Sequence, residues 1–425
     1  MLATILTVFS LLLSYGLLLL GNGLFATLLG VRTQIEAFTP GSVGFIVAAY
    51  FTGLLLGAFM GARVVARVGH IRAFAAFASV MSITALLPAL VVHPLVWALT
   101  RTASGFCMAG MILVTESWLN ERATNRNRGQ VMSLYMITNY FAAGCGQLLL
   151  PLADPSRFHL FSLASIIFSL ALVPVLLTRA TAPLPRPPER VRFGELWHTS
   201  PLGFLGALSS GLVNSVFHGL GAVFAHGIGL SIAQTSTFMA SAIFGGLVLQ
   251  WPVGRLSDHV DRRWILIAVS GLTALACVGV VMVYGKGGTA LYALAAIYGG
   301  LSFTIYSISA AHTNDFSDPE RRVQTASALL VAYGIGACVG PLVASLVMGG
   351  IGPSGLFLYA AVVNSVLALF AMYRMRRRAG KGKEERSELI SLPGGQFTAG
   401  KLYAGMRDQK DRDLAKMTGA FRPRQ

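Results

Sequence analysis

Of the 425 residues, 54% are hydrophobic and only 12% are charged, about half the charged share of a soluble domain, so water is not this chain's main solvent. The formal net charge of +16 would suit nucleic acid, but that reading fails once the cations are located along the chain. Four cysteines without a Cys-x-x-Cys pair indicate neither a disulfide framework nor a metal knuckle.

Apolar stretches of about 20 residues, each able to cross a hydrocarbon core of roughly 30 Å as a helix, recur along the chain. In chain order they cover 6–30, 42–62, 73–93, 95–117, 130–151, 158–178, 202–225, 235–254, 264–284, 290–312, 324–348 and 354–373. Inside lipid the backbone must satisfy its own hydrogen bonds, so these spans predict an all-α integral membrane protein with twelve transmembrane helices. Their length excludes the short strands of a membrane β-barrel, and the 47 glycines suit close helix contacts. The first span has no cationic segment before it and no small-residue cleavage site after it, so it is expected to be a retained helix. Cys107, Cys145, Cys277 and Cys338 all fall within predicted spans, where buried free cysteines serve as packing residues.

With the N-terminus placed inside, 15 of the 33 Lys and Arg residues fall in inner loops and 14 in the segment from Arg374 onward. Only Arg32, Arg157 and Lys286 fall in outer loops, and Arg101 alone lies well inside a span. The excess of cations marks the cytoplasmic side, so both termini are expected in the cytoplasm. The run Arg374, Arg376, Arg377, Arg378, Lys381 and Lys383 follows the last span directly and would lie against anionic headgroups rather than DNA.

The proline-rich stretch Ala180-Thr-Ala-Pro-Leu-Pro-Arg-Pro-Pro-Glu-Arg190 divides the helices six and six. It predicts bundles over 1–179 and 201–373, a cytoplasmic linker over 180–200, and a basic, disordered tail over 374–425. Moving the second half back by 192 positions superposes Asn22 on Asn214, Gly53 on Gly245, Arg63 on Arg255, Val68 on Val260 and Gly144 on Gly336. A duplication explains this register. Repeated halves of this kind place a solute site near the midplane between them and alternate its access by rocking.

The loop after the eighth span reads Gly254-Arg-Leu-Ser-Asp258-His-Val-Asp261-Arg262-Arg263. It resembles the hallmark loop of the major facilitator superfamily. The matching loop after the second span, Ala62-Arg63-Val-Val-Ala66-Arg67-Val-Gly69-His70-Ile-Arg72, keeps the cations but has Ala66 where the family has an acid. Arg101-Thr-Ala-Ser-Gly105 resembles the superfamily's fourth-helix signature. Glu116-Ser-Trp-Leu-Asn120, Asn125-Arg-Asn-Arg-Gly129-Gln, Tyr135, Tyr140 and Gly146-Gln147-Leu are similar to its YcaD-like branch. Gly336 to Pro341 looks like an exporter's antiporter motif, but it sits in the eleventh helix rather than the fifth, so it implies no direction.

The resemblance implies a secondary active transporter, a symporter or antiporter of a bacterial inner membrane, working by alternating access as a monomer with protons as the coupling ion. It also implies that helices 1, 4, 7 and 10 line the cavity. Their intramembrane polar residues are Asn22, Arg101, Glu116, Asn214, His218, Tyr298, Thr304 and Tyr306. Asn214 and His218 share one helical face, where they would bind one ligand or satisfy each other. Arg101, costly in a membrane, pairs an anionic group or modulates a proton site. Glu116 lies about 22 Å farther along the helix, as a coupling acid or a partner of Arg122, Arg126 or Arg128. One clear cation and no deep acid suggest a neutral, amphiphilic or anionic solute.

For the gate, pseudosymmetry puts Asp258, followed by the cation pair Arg262 and Arg263, near Arg128 and Gly129. In the other half Arg63 or Arg67 is expected to meet Asp318 or Glu320. A rival reading is a non-transporting sensor or assembly factor acting through the tail. No His/Glu cluster, nucleophile motif or metal spacing appears in the spans, so neither an enzyme nor a cofactor is expected.

Overall fold

The computed structural model describes residues 2–122, 128–177, 193–286, 288–318 and 321–377. Most of the linker and the tail from 378 onward lie outside the described residues. Twelve long helices follow one another: α1 (Leu2–Ile35), α2 (Pro40–Val68), α3 (His70–Leu90), α4 (Pro94–Arg122), α5 (Arg128–Gln147) and α6 (His159–Leu176, interrupted at Ala171). After a short helix, Phe193–Thr199, come α7 (Pro201–Gly227), α8 (Ile232–His259), α9 (Arg262–Val283), α10 (Thr289–Phe316), α11 (Arg322–Ile351) and α12 (Gly355–Arg377).

Among the described residues, eleven of these helices are long and apolar enough to cross a membrane. The exception is α5. Gln130, Ser133, Thr138, Asn139 and Gln147 dilute its apolar content, and it packs between α1 and α8.

Helix ends are fixed by local chemistry. Thr39 caps α2 by accepting from the Ser42 N–H at 3.4 Å, with Pro40 in the first turn, where no donor is needed. Ser231 and Gln234 form a reciprocal capping box on α8. Between α2 and α3 the chain turns at Gly69 with φ 85°, a left-handed value that a side chain would resist.

Within each half the tightest crossings are glycine pairs. A methyl at Gly53 would strike the Thr102 carbonyl, and one at Gly105 the Tyr50 carbonyl, locking α2 to α4. Gly245 and Gly299 stand in the same relation to Ala296 and Ala242, locking α8 to α10. A second pair of crossings repeats the device, with Gly23 and Gly146 between α1 and α5, and Gly211 and Gly336 between α7 and α11. Small residues let backbones approach where lipid offers no hydrophobic drive for helix association.

The halves meet through α1 with α7, α2 with α11 and α5 with α8. These contacts lie toward the end opposite the linker, here called the far end. Gly30 abuts Ala222, Gly219 abuts Val47, Gly44 abuts Ser345, and Ser236 Oγ donates to the Gln147 carbonyl at 2.7 Å. At the same end Arg32 bonds Glu36 at 2.5 Å and the Pro155 carbonyl at 3.2 Å, tying α1 to the loop before α6.

Candidate functional site

Where α1, α2, α4 and α5 face α7, α8 and α10, they surround a cavity of about 820 Å³, its open mouth included. Apolar side chains such as Leu19, Val47, Leu54, Met108, Ile112 and Ile243 make most of its wall. Its polar groups are few, as in most small-molecule sites.

Arg101 projects from α4 and is only 6% exposed. Its guanidinium lies over the Tyr50 ring at 3.9 Å and over the Phe25 ring at 5.5 Å. Tyr50 is itself held by donating to Asn22 Oδ1 at 3.2 Å. Among the described residues, Nη1 of Arg101 is buried without a hydrogen-bond partner. On the opposite wall the His218 ring stacks on Phe303 with centroids 5.2 Å apart, and Tyr140 stacks on Phe303 from the other side of the interface at 6.3 Å. Phe303 occupies the break in α10 between Ser302 and Thr304.

A chain of side chains leads away from the cavity through the first half. Asn139, in the wall, donates to Tyr15 Oη. Tyr15 stacks on Tyr135 with centroids 4.7 Å apart, and Tyr135 Oη donates to Glu116 Oε1 at 2.8 Å. Glu116 is buried, at 4% exposure, and is reached from the cavity wall through two tyrosines. Of the cations expected beside it, Arg126 and the side chains of Arg122 and Arg128 lie outside the described residues.

Of the eight predicted cavity residues, Asn22, Arg101 and His218 come together in the wall. Glu116, Asn214, Tyr298, Thr304 and Tyr306 do not line it. Asn214, fully buried, accepts from Ser302 Oγ at 2.9 Å, so it serves the contact of α7 with α10 instead of sharing a ligand with His218. Tyr298 packs among Phe217 and Phe357, with centroids at 5.2 and 5.4 Å, and Tyr306 packs edge-on to Tyr333 at 5.3 Å. Thr304 turns back on the Leu301 carbonyl at 2.7 Å. The wall also holds Tyr50, Asn139, Tyr140, Gln147 and Phe303. Confining the lining to helices 1, 4, 7 and 10 leaves out α2, α5 and α8; the buried polar residues Asn139 and Gln147 are the sequence signal for α5.

At the linker end Asp258 pairs with Arg262 at 3.5 Å, one turn away, and Arg262 also meets Asp315 of α10 at 3.4 Å. Both Arg262 and the Asp315 side chain are buried, whereas Asp258 is half-exposed. Asp261 caps α9 and grips Arg263 at 2.6 Å. The expected contact of Asp258 with Arg128 involves a side chain outside the described residues, as does the contact with Glu320. Among the described residues Arg63 and Arg67 form no ion pair with Asp318, and all three are exposed. Such a pair needs the linker ends of α2 and α11 to meet, and here the halves join at the far end.

Several solved transporters share this fold. Similarity to the nucleoside transporter NupG covers 89% of this chain and all of that one, with a TM-score of 0.69 at 16% identity. For a bacterial homologue of the human lysosomal transporter Spinster, inward-facing and occupied, the values are 89%, 97%, 0.71 and 14%. A D-xylose-proton symporter gives a TM-score of 0.65 at 13% identity, over 86% of this chain and 96% of the other. In sequence, an uncharacterized MFS-type transporter of Enterobacter sp. (strain 638) is 27% identical over 378 residues, covering 87% of this chain and 96% of the relative. YcaD of Escherichia fergusonii, also an uncharacterized MFS-type transporter, is 26% identical over 362 residues, covering 85% and 94%. Residues 11–310 and 203–414 match the model of the Major Facilitator Superfamily. With two six-helix halves around a sparsely polar cavity, eleven of the helices apolar enough for lipid, the chain belongs to the major facilitator superfamily and resembles its YcaD-type branch.

Proposed function

We propose that this protein is a proton-coupled secondary transporter that moves a small neutral, amphiphilic or anionic solute across the bacterial cytoplasmic membrane by alternating access. The carrying observation is the cavity between the halves, closed at the far end by the contacts of Val47 with Gly219 and of Ala222 with Gly30. With both termini and the linker in the cytoplasm, as we read the cation distribution, this conformation is closed to the outside. Rocking about the midplane would exchange the far-end contacts for contacts between the linker ends.

The coupling route in this reading is Glu116 with Tyr135, Tyr15 and Asn139. A carboxylate that takes up a proton is charged in one state and neutral in the other, and hydroxyl groups beside it can relay the proton toward the cavity. Purified protein in proteoliposomes, screened with labelled metabolites and drugs under an imposed pH gradient, tests the proposal. At least one solute should accumulate with the gradient. Glu116→Gln should abolish that accumulation while leaving solute exchange at equal pH. No gradient-driven flux of any solute, or a Glu116→Gln protein that still accumulates it, would contradict the reading.

A further inference from the structure

Resting on the transport reading, we infer that the solute is a small organic monoanion, with a carboxylate or similar planar anionic group at Arg101 and a flat apolar body against the His218–Phe303–Tyr140 wall. Arginine stays charged at any pH a protein meets, and a buried charge calls for a counter-charge. Among the described residues no Asp or Glu lines the cavity, so none supplies that counter-charge there. The ring faces of Tyr50 and Phe25 provide part of the compensation as cation–π contacts. They make no hydrogen bond, however, and Nη1 stays buried without a hydrogen-bond partner among the described residues. Two parallel N–H donors in one plane match a carboxylate edge to edge.

The other wall is chemically different. His218 and Phe303 are nearly parallel, at 12°, and Tyr140 lies at 22° to Phe303, so their stacked rings offer the aromatic surface that a flat ring prefers. The anion-binding group belongs to the first half and two of the three rings to the second. One ligand touching both walls would hold the halves at a fixed separation, a direct way for solute binding to bias the rocking equilibrium.

The test compares three probes with one ring system on purified protein in nanodiscs: 2-naphthoate, 2-naphthamide and 2-naphthylmethylammonium. Calorimetry should rank them carboxylate first, amide at least tenfold weaker, ammonium weakest. Arg101→Gln should reduce naphthoate binding to the level of the amide, and Arg101→Lys should retain part of the preference. Phe303→Ala should weaken naphthoate and naphthamide by similar factors. The wild-type ranking stands on its own if a variant fails to fold. Equal or tighter binding of the amide or ammonium, no binding of naphthoate, or an unchanged Arg101→Gln protein overturns the inference. A protein that carries neutral solutes in proteoliposomes yet ignores naphthoate loses this inference and keeps the transport reading.

Discussion

The loops after α2 and α8 hold equivalent places in the two halves, yet different chemistry secures them. After α8, Arg262 is buried and charge-paired with Asp315 at 3.4 Å and Asp258 at 3.5 Å, so α9 is tied to α10 by ions. Moved back by 192 positions, Arg262 becomes His70 and Asp258 becomes Ala66. His70 is also buried, with its ring tilted against Trp118 at 6.0 Å, so α3 is tied to α4 by packing. The duplicated architecture kept the task and changed the means. A buried ion pair fails steeply when one partner is removed, whereas an aromatic contact fails in proportion to the surface lost.

Breaking the ionic side should have the largest effect. Asp315→Ala leaves Arg262 buried beside half-exposed Asp258, and should destabilise the protein by about 4 kcal/mol, seen as a large fall in melting temperature of the purified protein. On the packed side, Trp118→Ala should cost about 3 kcal/mol through lost contacts and a cavity, with a fall that does not depend on salt. Converting the ionic side to the chemistry of its twin is the sharpest probe. Arg262→Met combined with Asp315→Leu should stay within about 1 kcal/mol of the parent, and a loss as large as that of Asp315→Ala alone would contradict this account of the loop. The smallest stability effect belongs to Asp258→Asn, under about 1 kcal/mol for a half-exposed partner. Its consequence should show in cysteine accessibility at the linker end, which rises if Asp258 helps close that end.

The same contrast explains what the sequence made legible. Span number followed from hydrocarbon thickness, and even α5, too polar to qualify by composition, occupies the place that the apolar pattern assigned. Arg101 could be singled out because a charge in lipid needs a reason. Asn22 and Asn214 are equivalent in register yet not in role: one steadies Tyr50 at the cavity, the other accepts from Ser302 away from it. When a helix is apolar all round, its rotation toward cavity, neighbour or lipid is not encoded in periodicity. Tyr50 and Phe303 line the cavity while Tyr298 and Tyr306 pack, and nothing in a lone aromatic letter separates these fates. The Arg262–Asp315 pair joins two helices across a bundle, a contact that only tertiary structure reveals.

Alternation between two closures is the central claim, and paired spin labels test it most directly. Gly41 and Gly350 have open space at the far end of α2 and α11, and Val68 and Val260 are exposed at the linker end of α2 and α8. Distances measured in nanodiscs across a range of pH and with solute should change in opposite senses, the far-end pair lengthening as the linker-end pair shortens. Two distances that stay fixed under every condition, or that lengthen together, would contradict an alternating carrier.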